Sequence, residues 1–236
     1  MSTSPHALQI EGLAFGWTKG EALLNIPALT IKAGERVFLE GPSGCGKSTL
    51  LSLISGVTPS QGGTLHVLDT DITALSAAKR DAFRANRLGI IFQLFNLVPY
   101  LSVIDNILLP CRFSPARAKR AVAERGSIKE AAADLLGRLG LDAVADTKRG
   151  AGTLSVGQQQ RVAAARALIG APDFVIADEP TSALDTDTRN AFIDTLLSET
   201  ERSGAALLFV SHDKGLAPSF DTHLSLPALN QQGAGR

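Results

Sequence analysis

An excess of charge of either sign is the first thing this sequence lacks. Its 23 lysines and arginines stand against 23 aspartates and glutamates, for a formal net charge of zero. Without a basic surplus there is no electrostatic footprint for nucleic acid or for an anionic membrane surface, and no nucleic-acid partner is expected. Long apolar runs are also missing. The best are short pieces such as GIIF (Gly89 to Phe92) and ALLFV (Ala206 to Val210), far below the roughly 18 to 20 residues that span a bilayer. Any membrane role therefore needs another subunit. The start, MSTSPHALQIEG, has neither a basic opening nor an apolar core, which predicts no secretory signal and a cytosolic chain. Cysteine is scarce. Cys45 and Cys111 are the two in the chain, too few for a disulfide framework and not spaced as metal ligands. There is no internal repeat or low-complexity tract, and the tail QQGAGR (Gln231 to Arg236) reads as frayed.

What is present suffices for a full core: 236 residues, 44% of them hydrophobic, make one domain with room for a smaller subdomain. Short β-rich runs alternate with longer helical patterns, the signature of an α/β domain with a largely parallel sheet. VFLE (Val37 to Glu40), DFVIAD (Asp173 to Asp178) and ALLFV read as buried strands. The segment up to about Trp17 to Ile31 suits an antiparallel edge sheet. From about Phe95 to Leu154 strands give way to helical spacing: Ile128, Ala131, Ala132, Leu135, Leu136 and Leu139 recur behind Ser127 and Glu130, a capping-box start. This region is predicted to be a helical subdomain inserted into a single α/β domain spanning residues 1 to 236.

GPSGCGKST comprises Gly41, Pro42, Ser43, Gly44, Cys45, Gly46, Lys47, Ser48 and Thr49. It fits G-x-x-x-x-G-K-[ST] directly after a predicted strand and before the helix-like KSTLLSLISG, which ends at Gly56. The glycines let successive backbone N–H groups converge on phosphate oxygens, and the helix N-terminus adds its positive end. Lys47 is placed to reach the β and γ phosphates, and Ser48 to ligate magnesium. Against this stands the plain reading of a flexible turn. Cys45 reads as a small filler, although a thiol near a helix N-terminus gains thiolate character, so alkylation there is expected to hinder nucleotide binding.

A second apolar strand ends in Asp178-Glu179-Pro180. A strand ending in an acidic residue supplies the metal-holding half of many phosphate sites. Asp178 is expected to hold magnesium, directly or through water. Glu179, read as pointing to the opposite side of the strand, is placed to polarise an attacking water as general base. The plain alternative is a polar strand end followed by a proline turn.

Then comes LSVGQQQR (Leu154 to Arg161). Ser155 and Gln158 make a capping box at the start of a helix whose apolar stripe includes Val162, Ala165 and Leu168. The same serine hydroxyl, Gly157 and the first N–H groups form a second anion site. Two chains arranged head to tail can bring this site and the Gly41 loop to one phosphate more readily than a single chain can.

Taken in order, these motifs resemble those of the ATP-binding subunits of the ABC transporter family over nearly the whole chain. GPSGCGKST corresponds to the Walker A loop, Gln93 in IIFQLFNLVP to the Q-loop, LSVGQ to the family signature and FVIADEP to Walker B. SALD (Ser182 to Asp185) corresponds to the D-loop and His212 in FVSHD to the switch histidine. The resemblance implies two copies sandwiching two ATP molecules, each held by one copy's Walker A loop and the other's signature helix. It implies ATP and Mg2+ as ligands, Glu179, His212 and Lys47 as catalytic groups, and Ser48, Gln93 and Asp178 around the metal. Ser155, Gly157, Gln158 and Asp185 become nucleotide contacts. Trp17 falls where the family stacks an aromatic on adenine, with Phe15 the competing candidate and core packing the plain reading of either. The chain departs from the usual LSGGQ at Val156, whose branched side chain is expected to point away from the ligand and at most to weaken closure.

FQLFNLVPYLSVIDNILLP (Phe92 to Pro110) resembles a stretch of the lipoprotein-releasing LolD-type and macrolide-exporting MacB-type ATPases, with the cell-division FtsE type among their relatives. Phe95, Leu97, Val98, Tyr100, Val103 and Ile104 either form a groove for a short helix of a membrane-spanning permease subunit or fill the core of the helical subdomain. The stretch after His212 is short, which disfavours an added regulatory domain. The implied protein is an ATPase at the cytoplasmic face of the inner membrane. It dimerises on ATP and drives a permease of the lipoprotein-release or macrolide-export type. The rivals are a mechanical regulator of the cell-division kind and a soluble ABC protein with no pore.

Overall fold

The structure is a computed structural model that describes residues 5–18, 21–142, 150–182 and 184–231; the tail beyond 231 lies outside the described residues. In chain order the elements are β1 (His6–Phe15), β2 (Leu24–Lys32), β3 (Arg36–Glu40), α1 (Lys47–Ile54), β4 (Gly62–Val67), β5 (Thr70–Asp71), α2 (Ala77–Arg87), β6 (Leu88–Ile91) and α3 (Val103–Phe113). They continue with α4 (Pro115–Arg125), α5 (Ile128–Arg138), α6 (Val156–Leu168), β7 (Phe174–Asp178), α7 (Thr186–Ser203), β8 (Ala206–Ser211), β9 (Thr222–Ser225) and α8 (Leu226–Leu229). The chain divides into two compact units, Met1–Arg84 with Ala206–Arg236, and Ala85–Ala205.

In the first unit β2, β1, β4 and β5 form an antiparallel sheet in that order. The inward face of β1 changes phase, from Leu8 and Ile10 to Leu13 and Phe15. The pairing with β4 slips between Glu11 and Ala14, around Gly12 at φ 62°. A bulge there inserts one residue and flips the alternation, so both halves of the strand keep their apolar side chains inside. Beside it Gly63 has φ 77°, and a Cβ there would lie 2.3 Å from the Gly12 carbonyl oxygen, a spacing that requires glycine.

The same unit holds a parallel set in which β3 pairs with β8 on one side and β9 on the other. Val37, Phe38 and Leu39 of β3 and Ala206 to Val210 of β8 are all buried. Such continuous apolar runs are what a strand covered on both faces needs. Where β3 begins, Arg36 grips Asp221 with Nε and Nη2 at 3.0 and 2.6 Å.

In the second unit β6 pairs in parallel with β7, from Leu88 opposite Phe174 to Ile91 opposite Ala177. Around them the helices start on side-chain caps: Ser102 for α3, Ser114 with Pro115 for α4, Ser127 for α5, Ser155 for α6 and Asp185 for α7. Each cap accepts a backbone N–H that has no partner inside its helix. The periodicity expected of α5 holds, with Ala131, Ala132, Leu135, Leu136 and Leu139 buried. The architecture is the expected α/β class, with an antiparallel sheet, parallel strands and a helix-rich portion.

Candidate functional site

Gly41 to Gly46 run from the end of β3 into α1. Gly46 stands before the helix at φ 101°, with Leu24 Cδ2 2.8 Å from where its Cβ would be, so the loop closes down on β2 at a point only glycine fits. No side chain caps α1 and its first turn has no acidic residue, which leaves a helix N-terminus suited to an anion. Lys47 is buried, and its ammonium donates to the carbonyls of Gly41 at 2.7 Å and Pro42 at 3.1 Å, inside the curve of the loop. Ser48 is exposed and Thr49 half-buried. The Cys45 Sγ sits 2.6 Å from the position a Cβ on Gly41 would take, as a filler of the loop should. These residues fit a phosphate chain.

Glu40 closes β3 opposite Ser211 at the close of β8. His212, exposed, follows Ser211, so the loop and the histidine leave the same end of two paired strands. The turn after it is fixed by Ser211 Oγ accepting from the Asp213 N–H at 3.1 Å and by Asp213 accepting from the Gly215 N–H at 3.0 Å. Burial works to raise the Glu40 carboxyl pKa, but Lys214, bonded at 3.2 Å, and His223, at 3.3 Å, outweigh it and hold the pKa below the usual range.

At the antiparallel sheet Phe15 is 4% exposed and Trp17 67%. The two rings meet edge to face at 4.9 Å. Gln61 brackets the Gly16 peptide, accepting from its N–H at 3.1 Å and donating to its carbonyl at 2.8 Å. Trp17 borders an open cleft with Thr18, Glu21, Ala22 and Gln61.

In the second unit Gln93 and the Asp178-Glu179 pair leave the same end of β6 and β7, since Ile91 lies opposite Ala177. The sequence reading carried the strand's alternation on to Glu179. The structure corrects this: β7 stops at Asp178, and Glu179, buried, has φ 47° and opens a turn whose Ser182 N–H reaches back to its carbonyl at 3.3 Å. The turn, not the pleat, sets the direction of Glu179. Gln93 is exposed. Phe95 and Asn96 beyond it also have positive φ, 59° and 50°, and their carbonyls accept from Arg166 of α6 at 2.5 and 2.6 Å. Burial lowers the Arg166 pKa. Asn106, fully buried, holds both polar groups of the Val98 backbone. Neither residue was singled out from sequence. The available signal was a polar side chain interrupting an apolar stripe, Arg166 four residues after Val162 and Asn106 just before Ile107.

The capping box at α6 is complete: Ser155 Oγ accepts from the Gln158 N–H at 3.3 Å and Gln158 Oε1 accepts from the Ser155 N–H at 3.0 Å. Val162, Ala165 and Leu168 are buried, as the stripe required. Val156 is 47% exposed. Gly157 faces the start of α7, where a Cβ would have Leu184 at 3.4 Å and Thr188 at 3.9 Å. Asp185 caps α7 by accepting from the Thr188 N–H and hydroxyl at 3.0 and 2.8 Å, and these bonds lower its pKa. Ala183 of the SALD segment lies outside the described residues. Of the six apolar residues weighed for a groove, Val103 is core and Tyr100, 84% exposed, is surface; the other four are half-buried or partly exposed.

Among the described residues no cluster of three His, Cys, Asp or Glu side chains can hold a metal unaided, and no helix is long and apolar enough to cross a membrane.

The family model for the ABC transporter matches residues 24–182. The lipoprotein-releasing system ATP-binding protein LolD of Gluconobacter oxydans is 37% identical over 229 residues, 96% of this chain and 95% of that protein. An uncharacterized ABC transporter ATP-binding protein of Mycobacterium tuberculosis is 36% identical over 235 residues, covering 95% and 91%. A solved dimeric ATP-binding cassette in a post-hydrolysis state, bound to ADP and Pi, superposes with a TM-score of 0.78 at 31% identity, covering 93% of this chain and 94% of that one. With the family model matching most of the chain and relatives matching nearly all of it, the chain belongs to the ABC transporter family and is one of its ATP-binding, ATP-hydrolysing subunits.

Proposed function

We propose that the protein is the ATPase of a lipoprotein-release type ABC system, acting as a homodimer closed by ATP on a membrane-spanning partner at the cytoplasmic face of the inner membrane. The observation that carries the sandwich is the N-terminus of α6: Ser155 is exposed and Gly157 carries no side chain, a second helix start suited to an anion in a chain that already has the Gly41 loop. The solved cassette bound to ADP and Pi is dimeric, which supports the same arrangement. The likeness to LolD over nearly the full chain supports the branch.

In this reading adenine stacks on Trp17 and the phosphates lie along Gly41 to Thr49, with Lys47 turning from the loop carbonyls to the β and γ phosphates. Ser48, Gln93 and Asp178 would hold Mg2+, which would supply charge neutralisation on the phosphates. Glu179 takes the proton of the attacking water, and His212 contacts the γ-phosphate. Ser155, Gly157, Gln158 and Asp185 of a second copy close on the nucleotide. Catalysis of this kind rests on positioning and charge stabilisation. Leu94 and Tyr100, exposed and apolar, receive a short helix of the partner.

The test is capture of tagged Glu179→Gln protein from detergent-solubilised membranes with Mg2+ and ATP. The reading expects a membrane protein with few spans and a large extracytoplasmic domain. Reconstituted together, the pair should release lipoprotein from vesicles. Force transmission without release would favour the cell-division type, and a soluble partner would overturn the transport reading.

A further inference from the structure

Arg117 of α4 heads the fully buried side chains by size, at 2% exposed. Among the described residues its bonding partners are backbone carbonyls and no carboxylate. Its Nε donates to the Ile169 carbonyl at 2.8 Å, its Nη1 to Leu88 at 3.1 Å, and its Nη2 to Ala167 at 2.6 Å and again to Ile169. Burial lowers its pKa to about 10, so the group stays charged at neutral pH. Ala167 and Ile169 are the carbonyl end of α6, and Leu88 is the first residue of β6. A cation at this point satisfies acceptors that the helix cannot satisfy itself and meets the negative end of its dipole.

The turn after α6 is held equally closely. Arg120 donates to the Gly170 carbonyl at 2.7 Å and to Asn86 at 2.8 Å. Gly170 has φ 68°, and a Cβ there would lie 2.5 Å from the Arg117 carbonyl oxygen. The backbone of α4 therefore rests on the turn without an intervening side chain.

The other end of α6 carries Ser155 and Gly157. Much of its buried face is alanine, at Ala163, Ala164, Ala165 and Ala167. Such small side chains form shallow ridges that resist sliding along the helix axis weakly, so directional bonds decide the register. A 13-residue helix is a rod of about 20 Å, and a shift at one end reappears at the other.

We infer that Arg117 is a positioning residue for the signature segment: by fastening the carbonyl end of α6 to β6 it sets the axial position at which Ser155 and Gly157 meet the nucleotide held by a second copy. The inference rests on the ATP-sandwich reading above. Contacts of this kind work within about 0.5 Å, so unfastening α6 weakens closure and leaves ATP binding to the Gly41 loop as it was.

The experiment uses the full chain carrying Glu179→Gln. Dimerisation in Mg2+ and ATP is followed by sedimentation equilibrium, and ATP binding to each chain by equilibrium dialysis. Adding Arg117→Met should raise the protein concentration for half-dimerisation at least about 10-fold, with the ATP affinity of the monomer, read by dialysis at protein concentrations below dimerisation, unchanged. Arg117→Lys, which keeps the charge and some donors, should recover part of the loss. A core control, Ile193→Val at a buried position of α7, should dimerise normally. If Arg117→Met does not fold, Gly170→Ala, which pushes α4 off the turn, must give the same split. Equal dimerisation by the Arg117 variants, or equal loss in the Ile193 control, overturns the inference alone. If Glu179→Gln itself stays monomeric, the sandwich reading fails and the inference falls with it.

Discussion

Glu40, the last residue of β3, lies in register with Ser211, the last residue of β8. That alignment makes one strand end serve two motifs far apart in sequence, the Gly41 loop and His212. In the proposed ATP complex a phosphate in the loop would lie close to the segment carrying the histidine, and the Lys214–Glu40 pair is a local tie between the two.

Lys47 bonds to the loop's own carbonyls at 2.7 and 3.1 Å, so its ammonium is already in the curve to which the proposal assigns the phosphates. Lys47→Ala should weaken ATP binding by about 10- to 100-fold, the worth of a charge-assisted contact. Equilibrium dialysis measures it, and unaltered affinity would take the loop out of the site.

Trp17 is exposed while Phe15 is core. Trp17→Ala should lower ATP affinity by about 1 kcal/mol through lost stacking, and Trp17→Phe should restore most of it. Phe15→Ala should instead lower the unfolding midpoint. Titration of both variants, with thermal melts, separates the roles.

Asp185 is held below its ordinary pKa of 3.8, first by the Thr188 N–H and then by the Thr188 hydroxyl. A carboxylate depressed in the folded state contributes stability above the ordinary pKa and loses it as pH falls through the folded one. The stability gap between the protein and Asp185→Ala should therefore be full at neutral pH and close as pH drops below 3.8. Urea unfolding across that range checks it; a gap that persists in acid would mean the cap does not act through its charge.

Val156 stands half-exposed at the first turn of α6. Val156→Gly should leave steady-state ATPase equal or faster. A large loss would mean that the valine makes contacts in the closed dimer.

Much of this site was legible because its parts are local. A glycine loop between strand and helix, a capping box at Ser155 and Gln158, and an acidic strand end each announce themselves within a few residues. Glu179 was read as part of the strand, whereas β7 stops at Asp178 and φ turns positive at Glu179, a change that depends on the turn behind it. Arg117, Arg166 and Asn106 escaped altogether. Each binds backbone carbonyls, which every residue possesses, so the partner leaves no mark in the sequence. The same holds for the phase change in β1, where Gly12 gave a hint but the slipped pairing with β4 is a property of two strands.

In the proposed mechanism ATP closes two copies of this chain on one another. Sedimentation of Glu179→Gln protein with and without Mg2+ and ATP tests it most directly. The expected result is a dimer with ATP, a monomer without it, and a dimer that needs about 10- to 100-fold more ATP when Lys47→Ala is added. A protein that stays monomeric in saturating ATP, with nucleotide demonstrably bound, would contradict it.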